Sequence, residues 1–207
     1  RSHDPMHMAE RVARIAMDRK NRGIVALDLA GDEVHFPADL FTGLFREAKQ
    51  EGLKVTIHAG EWTGAESVRQ AIVDIDADRI GHGVRALEDD SVMEMLIERK
   101  IPLEMSLASN EQTGSVTSII DHPLKEMWRR GVKVTLNTDD PTICNVTMTD
   151  ELAFAADYQK MNFFCLYDLT WNAIEAGFML DHQKENLKQY IRHAWARVDE
   201  DSDRQSF

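Results

Sequence analysis

Cysteine is nearly missing from this 207-residue chain, which holds only Cys144 and Cys165. Two thiols cannot build a disulfide framework or a cysteine zinc knot, so small secreted scaffolds and zinc fingers are excluded. Positive charge is also scarce. Lys and Arg total 24 against 36 Asp and Glu, and the net charge of −12 leaves no basic footprint for nucleic acid. No apolar run approaches the roughly 18 residues of a membrane span, and even the strong stretch 24–30 is interrupted by Asp28. Glycine-rich phosphate loops and the G-x-S-x-G nucleophile elbow are absent. So is the H-x-E…P-C-x-x-C zinc signature, since the two cysteines stand 21 positions apart.

What remains is 43% hydrophobic and 29% charged, the composition of one globular domain. The chain opens Arg1-Ser-His-Asp-Pro5, with no initiator Met and no apolar signal core. The default expectation is therefore a cytoplasmic protein, and the missing Met reads as the cut end of something longer.

Short β-branched runs at 24–29, 54–57, 79–80, 102–105 and 132–136 alternate with apolar residues at helical spacing. A first helix is expected to open at Asp4 and Pro5, to bury Met8, Val12, Ile15 and Ala16, and to stop at Gly23. Further apolar stripes fall at Phe41, Leu44, Phe45 and Ala48; at Val68, Ala71, Ile72 and Ile75; and at Val92, Met95 and Leu96. Leu124 and Met127 form a shorter one after Pro123. Strand starts are separated by 30, 25, 23 and 30 residues, close to the ~30 of a βα unit, so the pattern predicts a repeated parallel α/β architecture. Residues 150–160, 167–176 and 181–195 read as terminal helices, and 199–207 as an acidic frayed tail behind a domain spanning 1–198.

The strand runs end in Gly31-Asp-Glu33, His58-Ala-Gly-Glu61, Gly81-His-Gly83, Ser106 to Asn110, and Asn137-Thr-Asp-Asp140. Polar and titratable groups thus collect at one edge of the sheet, where parallel βα folds place binding and catalysis. A lone histidine at a strand end is commonly structural. His58 differs because Glu61 follows on the same short loop, and an imidazole beside a proton-moving carboxylate is the pairing metal hydrolases need. His82 lies between two glycines that allow close backbone approach; it also fits a turn histidine. Either carboxylate of Asp139-Asp140 could cap a helix before Pro141, while a nearby cation would explain keeping both. Gly31 reads locally as a turn glycine.

Taken in order, Asp28-Leu-Ala-Gly-Asp-Glu33, His58-Ala-Gly-Glu61, Arg79-Ile-Gly-His-Gly83, Leu103-Glu-Met-Ser-Leu-Ala-Ser-Asn110 and Leu136-Asn-Thr-Asp-Asp-Pro141 resemble the adenosine deaminase family, a metal-dependent branch of the amidohydrolases. The resemblance implies a TIM (β/α)8 barrel, of which this chain would supply strands four to eight and the C-terminal helices. It also implies a Zn2+ cofactor and a small purine nucleoside substrate, deaminated hydrolytically, with no nucleic-acid or membrane partner. On that basis His58 and Asp139 would be metal ligands, Glu61 the proton donor to purine N1, and His82 the group that holds and helps deprotonate the attacking hydroxide. Asp140 would meet purine N7, and the Gly31 N–H would face N3. The family carries two further zinc ligands as H-x-H after its first strand. This chain has no H-x-H, and His3 and His7 are four apart in a segment resembling the loop after the third strand. Related aminopurine deaminases, another amidohydrolase and an inactive barrel fragment are the competing expectations. Bare hydrophobic edges are expected along 24–29 and 132–136.

Overall fold

The computed structural model describes residues 6–204. After helix α1 (Met6–Asp18), one sheet of five parallel strands runs in chain order: β1 (Ala26–Leu29), β2 (Lys54–Ala59), β3 (Arg79–His82), β4 (Leu103–Met105) and β5 (Val134–Leu136). Sequential parallel order is what repeated right-handed βα crossovers produce. All of the expected strand runs are present, with β1 and β5 starting two residues later than the apolar pattern suggested. The connecting helices are α2 (Thr42–Gln50), α3 (Ala65–Val73), α4 (Asp90–Arg99), the short α5 (Leu107–Gln112) and α6 (Leu124–Arg129). Beyond β5 the chain is helical, with α7 (Pro141–Cys144), α8 (Met148–Asp157), α9 (Phe163–Ala176) and α10 (Asp181–Arg204).

Register explains the layering. Across the sheet Leu29 pairs with Ile57, Ile57 with Ile80, Ile80 with Leu103 and Leu103 with Val134, placing these side chains on one face. That face is buried under the helices with Phe45, Val68, Ile72, Leu96, Leu124 and Met127. Each fully buried aliphatic side chain contributes roughly 1.5–3 kcal/mol, so this layer holds the fold together. The alternate positions, Asp28, Thr56, His58, Arg79, Glu104 and Thr135, form the opposite and polar face. Arg79 spans it, paired with Glu104 at 2.8 Å and stacked 3.8 Å above the Phe178 ring.

Two expectations need correction. Met8, Val12 and Ile15 are exposed, at 42%, 58% and 50%, and it is Ala13 and Ala16 that are buried. Helix α1 carries two adjacent apolar stripes, and the small alanines allow close packing on α2 and β1. Periodicity finds a stripe; only a covering element decides which one is buried. Nor is the β5 edge bare. Helix α9 lies along it, and Asn172 Nδ2 donates to the Val134 carbonyl at 3.0 Å, filling an edge acceptor. At the other edge Ile24 and Val25 are exposed as expected.

The expected cap at Asp4 and Pro5 lies outside the described residues. Helical backbone continues to Arg204, whereas the side chains of the acidic segment expected as a tail also lie outside them. Among the described residues no helix is long and apolar enough to cross a membrane.

Candidate active site

The C-terminal ends of the strands bring four expected residues together: His58, Glu61, His82 and Asp139. His58 stands near the end of β2, and its Nδ1 lies 2.9 Å from Asp28 Oδ1 on β1. Across the register it faces Gly81, where a Cβ would fall 2.7 Å from His58 Nδ1. Only glycine leaves room for the ring. The close approach foreseen for the glycines beside His82 is thus made by another imidazole.

His82 departs from strand geometry. Period-two alternation would send it with Ile80 to the helix-covered face, but its φ is +61°. The left-handed backbone ends the alternation. The ring instead sits 4.9 Å from that of His58, with Nε2 3.4 Å from Glu61 Oε2 and 4.0 Å from Asp139 Oδ2. Asp139 is left-handed as well, at φ +54°. Such backbone costs on the order of 1 kcal/mol or more per residue and persists where surrounding contacts over-determine it. Ser109 is one such contact, donating to Asp139 Oδ2 at 2.6 Å.

The loop carrying Glu61 is held by another acid. Glu33, buried after β1, accepts from the backbone N–H groups of Gly60, Trp62 and Thr63 and from the Ser67 hydroxyl. The carboxylate ties down the loop on both sides of Glu61 through three backbone N–H groups, without touching Glu61 itself. Glu61 itself is buried, and its Oε1 accepts from Thr113 Oγ1 at 3.1 Å.

Electrostatics separate Glu61 and the two imidazoles. Burial raises the Glu61 pKa from 4.5 to about 7, aided by the charges of Asp139 and Glu33 and opposed by Thr113 and His58. His82 is pushed down to about 4 by burial and by repulsion from His58. For His58 burial is the largest influence and lowers the pKa, but the hydrogen bond and charge of Asp28, with Asp139 and Glu104, outweigh it and the net shift is upward. An acid raised toward neutrality beside an imidazole kept neutral is an arrangement suited to proton transfer at physiological pH.

His58, His82 and Asp139 also offer donor atoms that all lie within 4.8 Å of one another. Two imidazoles and a carboxylate are a zinc-type donor set. Ligands on a tetrahedral zinc at ~2.0 Å stand roughly 3.3 Å apart, so side-chain shifts of about an ångström would close the group on an ion. The residues fit a metal. A cleft of about 360 Å³ opens over them, lined by Asp28, His58, His82, Glu104, Ser106 and Asp139 among others. A larger cleft, about 670 Å³, lies at the opposite end of the strands between Val25, Lys54, Pro102 and Phe178, and contains none of these groups.

Gly31 and Asp140 stand at the rim. Gly31, φ +101°, follows β1 and is exposed. Asp140 occupies the N-cap position of α7, yet its side chain makes no cap hydrogen bond. The supporting residues Asp28, Glu33, Ser109, Asn110, Thr113 and His122 received no individual role from sequence reasoning. Several lie in the strand-end strings, and that position was their one available signal.

A parallel βα sheet whose C-terminal edge gathers a His/His/Asp donor set and a glutamate raised toward neutrality is the architecture of a segment of an amidohydrolase-type barrel. The adenosine deaminase family model matches residues 1–194, and the chain belongs to that family. The adenosine deaminase of Salmonella newport (strain SL254) is 42% identical over 171 residues, which is 83% of this chain and 51% of that protein. Among solved structures, an adenine deaminase from Arthrobacter aurescens superposes with a TM-score of 0.84 at 28% identity, covering 91% of this chain and 58% of that one. Arabidopsis ADAL complexed with IMP gives 0.83 at 26% identity, with 94% and 56% covered. The chain spans about half the length of the curated relatives it matches.

Proposed function

We propose that this chain forms the metal- and purine-facing part of a zinc-dependent hydrolytic deaminase that converts adenosine or deoxyadenosine to the inosine-type product and ammonia. The observation that carries this reading is the convergence of His58, His82, Asp139 and a buried Glu61 at the ends of three strands and their loops. His58 and Asp139 would hold the zinc, and the Asp28 carboxylate fixes the His58 ring through its Nδ1. Zinc supplies Lewis acidity and lowers the pKa of water to about 7.

The chain's own groups do the rest. Glu61, with a pKa of about 7, gives its proton to purine N1 and withdraws electron density from the ring. C6 then accepts a water-derived oxygen held beside His82 and Asp139. One proton of that water passes to the amino group, which leaves as ammonia as the C6–N6 bond breaks, and the other restores Glu61, while the proton given to N1 stays on the product. Asp140 would hold N7, and the backbone N–H of Gly31 would hold N3, orienting the ring for attack.

The neighbouring structures of an adenine deaminase and of an Arabidopsis N6-mAMP deaminase favour one second reading, a sibling deaminase acting on adenine or a methylated adenylate. No H-x-H occurs in the 207 residues, so the reading places two further ligands outside them. The test fuses this chain behind the N-terminal half of the Salmonella relative and measures ammonia release from adenosine, deoxyadenosine, adenine and N6-methyl-AMP. Turnover of the two nucleosides is expected. A folded, zinc-loaded fusion inert toward every aminopurine overturns the proposal.

A further inference from the structure

Behind His82 runs a buried chain of hydrogen bonds with a direction. The Leu124 backbone N–H donates to His122 Nδ1 at 3.1 Å. A backbone N–H can only donate, so Nδ1 of His122 carries no proton and the ring's proton sits on Nε2. That nitrogen lies 3.0 Å from Asn110 Oδ1 and donates to it. The Asn110 amide is thereby oriented, and its Nδ2 lies 3.0 Å from His82 Nδ1, to which it donates. His82 Nδ1 must then be an acceptor. Asn110 is 0% exposed and His122 3%, so the chain is shielded from bulk solvent.

We propose that Asn110 and His122 are positioning residues that lock His82 with its proton on Nε2, making it a hydrogen-bond donor toward Glu61 and Asp139 and not a metal ligand. The inference deepens the reading of the site, since the cluster geometry alone offers His82 as a third ligand. A nitrogen that carries a proton has no lone pair for a cation. Its N–H points to the space between the two carboxylates, where it holds an incoming oxygen by donating to it. The protons of that oxygen then go to a carboxylate rather than to this imidazole.

The test is nitrogen NMR on the full metal-free chain at neutral pH with ring-labelled histidine, His82 being assigned by the signals lost in H82Q. The wild type is expected to show a pyrrole-like Nε2 and a pyridine-like Nδ1 at both His82 and His122. Asn110→Asp, which offers only acceptors, should interchange the two His82 nitrogen shifts. His122→Phe, which frees the Asn110 amide to turn over, should yield mixed His82 tautomers. His122→Gln, whose amide can still donate to Asn110, should restore the wild-type pattern. A proton on Nδ1 of His82 in the wild type overturns the proposal, and this spectrum decides even if a variant fails to fold. An unchanged His82 spectrum in both folded Asn110→Asp and His122→Phe also overturns it. Ammonia release plays no part, so failure of the deaminase reading and failure of the relay are separate results.

Discussion

The loops after β1 and β2 each bury one glutamate, Glu33 at 3% exposure and Glu61 at 5%, and use it in opposite ways. Glu33 is saturated: the donors on Gly60, Trp62, Thr63 and Ser67 occupy both of its oxygens. Glu61 has one hydroxyl donor, Thr113, and otherwise faces the edge of His82 at 3.4 Å. Burial alone therefore does not make an acid reactive. What separates the two is whether the ionised form finds enough donors to replace its lost water. The filled carboxylate becomes scaffold, and the underfilled one is driven toward its neutral form and becomes available for proton transfer.

Breaking the second member of the pair has the largest expected effect. In the fusion described above, Glu61→Gln should lower ammonia release by about 10²–10⁴-fold, leaving zinc content nearly unchanged. Equal turnover would remove Glu61 from the mechanism. The contrast can also be sharpened by pH in the metal-free chain. Because the folded pKa of Glu61 is raised from 4.5 to about 7, its protonated form contributes stability that is fully present below 4.5 and is lost as pH rises through about 7. The loss amounts to about 3 kcal/mol at most. Thermal unfolding of wild type and Glu61→Gln across that range should therefore diverge, the variant gaining relative stability as pH rises; parallel curves would contradict the shift.

Breaking the first member should act on the scaffold. Glu33→Gln turns one acceptor into a donor facing N–H groups, and is expected to destabilise by about 1–3 kcal/mol. A denaturant titration reads it, and no loss of stability would show that the loop donors find other partners. The smallest effect is expected at Gly81→Ala. Its new methyl meets the His58 ring at 2.7–3.0 Å, so the imidazole must shift by more than half an ångström to regain ordinary contact. Overpacking of this kind costs about 1 kcal/mol or more and should weaken zinc binding in a competitive chelator titration. Wild-type affinity in that variant would mean the ring position is not set by Gly81.

The site was legible in the sequence to the extent that its residues lie at strand ends. His58, Glu61, His82 and Asp139 each follow an apolar run, and topology gathers such positions on one edge of a parallel sheet. His122 had no such signal. It follows no strand, and reaches the site only through Asn110, 12 residues earlier in the chain. The exposed stripe of α1 was illegible for a related reason, since Met8, Val12 and Ile15 repeat as core residues do and nothing local reveals what covers them.

The order of β and α segments, the register of apolar faces and the chemical kinds of groups at the strand ends were decided by the sequence, because each depends on spacing along one chain. Tertiary structure alone decided the left-handed turn that swings His82 from the helix-covered face, the saturation of Glu33 against the isolation of Glu61, and the direction of protons from Leu124 to His82. Those depend on donors and acceptors brought together from segments distant in sequence, where desolvation and hydrogen-bond polarity are set by neighbours and not by spacing.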